Sequence, residues 1–378
     1  MSDRHHVYFV PGMFGFGRLA GYDYFNHVRT ALAQRFDDAG VEVGFEDVPC
    51  PPTSSLRFRS RVLAKTVSRT ARDDPGPIHL VGHSTGGLDA RLVLSPSANL
   101  TLAPEVMSWT DRVQTAVTLN TPHYGTPLAG YFATVSGTRL LYALSLLTVV
   151  SLSIGEPSLA VFSRVLSGVG SVDSLFGGDL KLVSRLTDSI LRFVDASGRK
   201  EITHFLGSVR VDQGAIIQIM PEAMDLFNAA AEDHTGVRYA SIAAAAPPPA
   251  ALHFARRIRS PYAALTAALY STLYRFAAER PAPYPYARPN DDEQRILSGG
   301  IGRLVDDTSN DGIVPTLSML WGKLLWAGEA DHLDVLGHFQ DDVRPGQHVD
   351  WLASGAHFTR ARFAAIMDAL ANFLLTSH

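Results

Sequence analysis

Pro77-Ile78-His79-Leu80-Val81-Gly82-His83-Ser84-Thr85-Gly86-Gly87-Leu88 is the stretch on which the fold of this chain turns. Its first five residues are short, apolar and β-branched, as in a strand. From Leu88 to Leu94 apolar residues recur at helical spacing with Arg91 between them. A G-x-S-x-G pattern at a strand-to-helix junction puts its serine on a sharp, strained turn. Gly82 and Gly86 leave room for the close backbone contacts such a turn demands. The hydroxyl then sits at a helix N-terminus, where N–H groups and the dipole favour developing negative charge. A glycine-rich βα turn is the plainer reading, but strand before and helix after favour an activated nucleophile.

A serine alone is a poor nucleophile, so a base, an orienting acid and an oxyanion hole must be found. Around such an elbow the acid and then the histidine follow the serine in the chain. Ser309-Asn310-Asp311-Gly312-Ile313-Val314-Pro315 is a polar turn from which Asp311 can project off a strand end, with Asp306 and Asp307 close by in a solvated loop. His332 follows the apolar run Leu324–Ala327 and the turn Gly328–Asp331, the place a base requires. Of 14 histidines, His338, His348 and His357 also lie late and stand in reserve. His83 and His123 suit packing or substrate contact.

Two backbone N–H groups must face the developing alkoxide. Thr85, directly after the serine, supplies one. His6–Val10 reads as the first strand and Pro11-Gly12-Met13-Phe14-Gly15-Phe16-Gly17 as the loop after it. That loop points to the Met13 N–H as the second donor.

Together these segments resemble the bacterial family I triacylglycerol lipases, typified by Pseudomonas and Burkholderia enzymes. Val10–Leu32, with Gly12-Met13-Phe14-Gly15-Phe16 and Tyr22-Asp23-Tyr24-Phe25, is similar to their oxyanion loop and first helix. Asn120–Thr126 resembles their stretch after the strand that follows the elbow. Asn310–Val314 with Leu320–Leu325, then His332-Leu333-Asp334, resembles their acid-to-histidine segment. The match covers roughly 6–130, 220–242 and 305–336. It implies an α/β-hydrolase fold with Ser84 as nucleophile, Asp311 as acid, His332 as base, and Met13 and Thr85 as oxyanion donors.

The chain departs from that family in three ways. Pro11-Gly12 stands where the family has His-Gly, which removes a bracing side chain and leaves the donor backbone. Cys50 is the single cysteine, so the disulfide of many secreted members has no counterpart. The resemblance also implies a structural calcium, with Asp334 on one carboxylate position and Asp291 or Asp292 for the other. His338 stands there where the family has glutamine. No cofactor is needed for the chemistry itself.

A length of 378 residues and 46% hydrophobic content suit a single hydrolase core with a large cap. A net charge of −4 leaves no basic footprint for nucleic acid. Met1–His6 has no apolar segment of a signal peptide, which with one cysteine points to the cytoplasm. A chain whose leader had been removed reads the same way and would be secreted. Arginine outnumbers lysine and alanine is frequent, the usage of a GC-rich bacterial genome.

Strands alternate with helices in a doubly wound pattern: helix Tyr22–Ala39, strand Val41–Val48, helix Ser54–Arg72, the elbow strand and helix, and strand Val113–Leu119. The expected division is a core over 1–126, a helical cap over 127–219, a core helix and strand over 220–242, a second insertion over 243–300 and a C-terminal core part over 301–378. Leu140–Ile154 is apolar on nearly every side and shorter than the ~20 residues of a transmembrane helix. It reads as a cap helix over Ser84, and Ser158–Val165 and Leu180–Val194 continue the helical pattern. The second insertion reads either as a surface excursion or as a further cap piece. Phe358–Leu375 closes the last face of the sheet. The expected activity is a serine carboxylester hydrolase, lipase or esterase, acting on hydrophobic esters or lipids. An acyltransferase on the same triad and a binding protein without turnover are the alternatives.

Overall fold

The fold is seen in a computed structural model. It describes residues 4–13, 15, 18–19, 22–134, 196–249, 261–279, 286–339 and 350–376, with 137–138, 140–142, 144–145 and 147–148 between them.

Side chains alternate across a strand, and here both faces are apolar. Strand β1 (His5–Val10) sends Val7 and Phe9 into one buried cluster and Tyr8 and Val10 into another. A strand covered on both sides belongs in a parallel sheet between helical layers. A small hairpin, β2 (Arg18–Leu19) and β3 (Tyr22–Asp23), leads into α1 (Asn26–Asp38). Then come β4 (Val43–Asp47), α2 (Leu56–Thr70), β5 (Ile78–His83), α3 (Thr85–Leu94) and β6 (Val113–Leu119). Strands β7 (Arg238–Ala244) and β8 (Lys323–Gly328) complete a six-stranded sheet in the order β4-β1-β5-β6-β7-β8. All its neighbouring pairs are parallel.

Helix α1 and the C-terminal helix Arg360–Leu375 supply Val28, Leu32, Phe36, Ile366, Met367 and Leu370 to the first cluster. Helices α2 and α3 supply Leu63, Val67, Val93 and Leu94 to the second. The chain leaves β1 for β4 on one side and returns to β5 on the other. Val10 pairs with Gly82. The loops after β1 and β5 therefore emerge side by side, in the crevice where open parallel sheets bind ligands.

Element ends shift from the sequence reading for local reasons. Helix α1 starts at Asn26 because Tyr22 and Asp23 are taken up by the hairpin with Arg18 and Leu19. Helix α2 starts at Leu56 because the Ser55 side chain caps it by accepting from the Phe58 N–H. Within 243–300, helix Asp291–Ile301 opens with a capping box from Asn290 and Glu293, and buries Leu297 and Ile301 in the core shared with β8. Helix Pro261–Ala277 reaches helix Leu128–Phe132, stacking Phe276 on Tyr131 with ring centroids 4.0 Å apart.

The described residues between 140 and 148 are helical. Leu140, Leu141, Leu144 and Leu147 are buried in the same cluster as Met13, Phe132 and Val209. The remainder of Leu140–Ile154, with Ser158–Val165 and Leu180–Val194, lies outside the described residues. Among those described, no helix is long and apolar enough to cross a membrane.

Inside the sheet His79 bonds Thr115 Oγ1 at 2.8 Å through Nδ1 and His5 Nδ1 at 2.9 Å through Nε2. Burial first, then His5, pushes its pKa down from 6.5 to about 3. The unfolded chain thus takes up this proton before the folded one. The contribution is complete above pH 6.5 and is lost as pH falls toward 3, on the order of 5 kcal/mol in all. We expect His79→Gln to lose less unfolding free energy than the parent chain between pH 7 and pH 4. Equal losses of unfolding free energy in the two chains, from denaturant titrations at the two pH values, would contradict this.

Candidate active site

Ser84 stands between β5 and α3 at φ 54°, ψ −129°. A side chain at Gly82 would lie 2.5 Å from the Gly87 nitrogen, and one at Gly86 would run into the Val10 carbonyl. The G-x-S-x-G spacing is thus what lets this turn close against β1. Thr85 opens α3, so its N–H is among the first four that a helix leaves without an internal acceptor. The loop after β1 lies directly on the serine: a Cβ at Gly12 would be 2.6 Å from Ser84 Cβ. Met13 follows, its side chain buried. Phe14, Phe16 and Gly17 of that loop lie outside the described residues.

The Asp311 turn is tied to the end of β7, where the Ala246 N–H donates to the Asn310 carbonyl at 2.9 Å. Asp311 Oδ1 accepts from the Ile313 and Val314 N–H groups at 2.9 and 2.7 Å. Its Oδ2 faces His332 Nδ1 at 2.6 Å. A carboxylate only accepts, so Nδ1 carries the proton and Nε2 is left with its lone pair. That Nε2 is buried and has no hydrogen-bond partner among the described residues.

The backbone of His332 is held from the elbow side. Its carbonyl accepts from His83 Nε2 at 2.9 Å and from Asn120 Nδ2 at 3.4 Å. His83 Nε2 therefore bears a proton, and its Nδ1 accepts from the Tyr24 hydroxyl at 2.9 Å. The His83 and His332 rings are 4.8 Å apart. Burial first, then His332, pushes the His83 pKa well down, so it stays neutral. The residue before Ser84 thus anchors the turn that carries His332. His123 instead bonds Thr118 and Arg91 in the packing below α3. Of the reserve histidines, His338 reaches the Tyr24 carbonyl at 3.3 Å, His357 is exposed and His348 lies outside the described residues.

Asp331 and Asp334 flank His332, both buried. With Asp350 their oxygens lie within 4.8 Å of one another. Asp331 Oδ1 accepts from the Leu333 and Asp334 N–H groups, while Oδ2 has no hydrogen-bond partner among the described residues. Burial pushes the Asp331 carboxyl up to about 7 and raises Asp334 well above its ordinary range. Asp291 and Asp292, expected beside Asp334, are instead exposed in the first turn of helix Asp291–Ile301, with Asp292 paired to Arg295. The partners around Asp334 are Asp331 and Asp350. Sequence reading gave no role of their own to Tyr24, Asn120 and Asp331, which lie in segments it singled out, nor to Asp350. Only Asn120, a polar residue just past the apolar β6, carried a visible signal.

No family model matches the chain. A triacylglycerol lipase of Vibrio cholerae is 34% identical over 97 residues, 26% of this chain and 30% of that lipase. The chain therefore spans less than a third of that relative's length. Among solved structures, lipase 1 of Pelosinus fermentans superposes with a TM-score of 0.51 at 16% identity, over 99% of this chain and 100% of that one. EstA of Clostridium botulinum gives 0.48 at 17%, over 96% and 88%. At such identity the Pelosinus likeness speaks for architecture alone. With the parallel sheet and the strand–serine–helix turn, it identifies the fold of this chain as that of the α/β-hydrolases.

Proposed function

We propose that this chain is a serine carboxylester hydrolase, a lipase or esterase that cleaves hydrophobic acyl esters. The observation that carries this reading is the Asp311–His332 pair at 2.6 Å with His332 Nε2 unengaged, on a turn anchored from beside Ser84. In the proposed reaction Ser84 Oγ attacks the ester carbonyl carbon while His332 Nε2 takes its proton. Asp311 holds Nδ1–H and stabilises the imidazolium. The Thr85 and Met13 N–H groups bond the alkoxide oxygen. Collapse expels the alcohol, which leaves with the proton from His332. Water, deprotonated by the same imidazole, then releases the acid from the acyl-serine. The local likeness to the Vibrio lipase and the motifs around Gly12, Asn120 and Asn310 support a lipase related to the bacterial family I enzymes.

The apolar residues at 140–148 support a hydrophobic acyl group. Leu144 and Leu147 are buried in the main hydrophobic core. We read them as lining the acyl site.

The calcium implied by the resemblance finds suitable donors. Asp331, Asp334 and Asp350 offer hard oxygens in one place, and the orphaned Asp331 oxygen lacks a counter-charge. They would hold the ion, whose charge would offset the buried carboxylates and stiffen the turn that carries His332. It enters no bond-making step.

Ser84→Ala should lower turnover of p-nitrophenyl esters by about 10⁴–10⁶ without unfolding the chain. An alanine variant that kept a tenth of the activity would rule out Ser84 as nucleophile. Adding an alcohol separates hydrolysis from acyl transfer, by the ratio of acid to new ester.

Leu144→Asp or Leu147→Asp should depress kcat/KM for long acyl chains far more than for acetate. Equal losses would assign the segment to folding alone. Calcium should raise the melting temperature and a chelator lower it, with Asp334→Asn abolishing the difference. An unchanged melting temperature would remove the ion from this reading.

A further inference from the structure

Arg59 lies on α2, away from the residues assigned to the reaction, and is fully buried. Its guanidinium joins three pieces of chain. Nε and Nη2 meet Asp89 Oδ2 on α3 at 2.8 and 2.7 Å. Nη1 donates to the Pro51 and Pro52 carbonyls at 2.5 and 3.3 Å. Nη2 also donates to the Pro11 carbonyl at 2.5 Å.

The last of these contacts bears on the oxyanion loop. Proline's ring locks φ of Pro11, so ψ is the torsion that remains to aim the next peptide. The guanidinium holds the Pro11 carbonyl and with it the plane of the Pro11–Gly12 peptide. Gly86, lacking a side chain, lets the Val10 and Pro11 carbonyls rest against α3. Gly12 then lies on Ser84, and Met13 follows from a fixed start. Arg59 thus supplies bracing at the position where Pro11 offers no side-chain donor.

Asp89 keeps the brace in place. A buried cation is costly unless it is paired. Burial pulls the Arg59 pKa down, and Asp89, together with Cys50 and Tyr24, brings it above its ordinary value. Asp89 sits on the helix whose N-terminus holds Ser84, so the pair references the loop to the nucleophile's own element.

We propose that Arg59, held by Asp89, is a positioning residue that sets the oxyanion loop against Ser84. This rests on the hydrolase reading above. The effect falls on turnover, since a misplaced Met13 N–H weakens transition-state binding and leaves ground-state binding nearly intact.

The experiment compares the parent chain with Arg59→Lys and with the double variant Arg59→Met, Asp89→Leu. Lysine is a point charge that cannot span the four acceptors together. The double variant removes both buried charges and replaces them with apolar groups of similar volume, which preserves folding. Active sites are counted with a fluorophosphonate, and kcat and KM for a p-nitrophenyl ester are taken per labelled site. We expect kcat per site to fall about 10²-fold or more while KM moves little and the double variant melts with the parent. A purely structural role would lower the number of titratable sites and leave kcat per site unchanged, which overturns the proposal. A parent chain that neither labels at Ser84 nor turns over ester overturns the hydrolase reading itself, and the brace with it.

Discussion

Ser84 is held with a positive φ that an L-residue adopts only under constraint, at a cost of about 1–3 kcal/mol. Much of the surrounding structure can be understood as what keeps it there. Its N–H donates to the Leu119 carbonyl at 2.9 Å, so the turn is stitched into the sheet on the β6 side. Its carbonyl accepts from the Gly87 N–H at 3.1 Å, so the helix begins at once. On the β1 side the Val10 carbonyl occupies the space a side chain at Gly86 would need. A residue that could relax on any of these sides would return to an ordinary turn, and its hydroxyl would lose its place at the helix end.

The price of packing backbone so closely is that water is shut out, and every polar group below the serine needs a protein partner. The interior supplies several of these partners in sets. Arg91 lies 3.3 Å over the Trp321 ring and bonds Asn228 and His123, with burial holding its pKa down near 10. His83 and His123 are kept neutral by the same burial. Among the buried side-chain atoms without a partner, His332 Nε2 is informative because the other ring nitrogen of the same residue is tightly held.

Much of this was legible in the sequence because it depends on neighbours along the chain. The β5–Ser84–α3 junction is written in adjacent residues, and Val113–Leu119 matches its strand end to end. Asp311 shows itself through the glycine and polar residues of its own turn. What was hidden depends on tertiary contact. Nothing near Tyr24 announces a bond to His83 across 59 residues, or near Arg59 one to Pro11 across 48. The hairpin that delays α1 is equally silent, since Tyr22 and Asp23 read as the start of a helix. Helix Asp291–Ile301 has a local signal in the capping box of Asn290 and Glu293, but that its Leu297 and Ile301 belong to the core depends on tertiary contact.

The environment of His332 also explains why a distant acid, and not an adjacent one, is its partner. Asp331 is one residue away, yet its Oδ1 is turned back to accept the Leu333 and Asp334 N–H groups. That cap forms the tight turn on which the imidazole stands, and it directs the carboxylate away from the ring. Asp311, 21 residues earlier in the chain, is held by its own turn in the same way, two backbone N–H groups on one oxygen, but its other oxygen meets Nδ1 at 2.6 Å. Burial, with the neighbouring Asp311 adding to it, pushes the Asp331 carboxyl up to about 7. The two acids are therefore not interchangeable. One shapes the turn, and the other is presented to the ring.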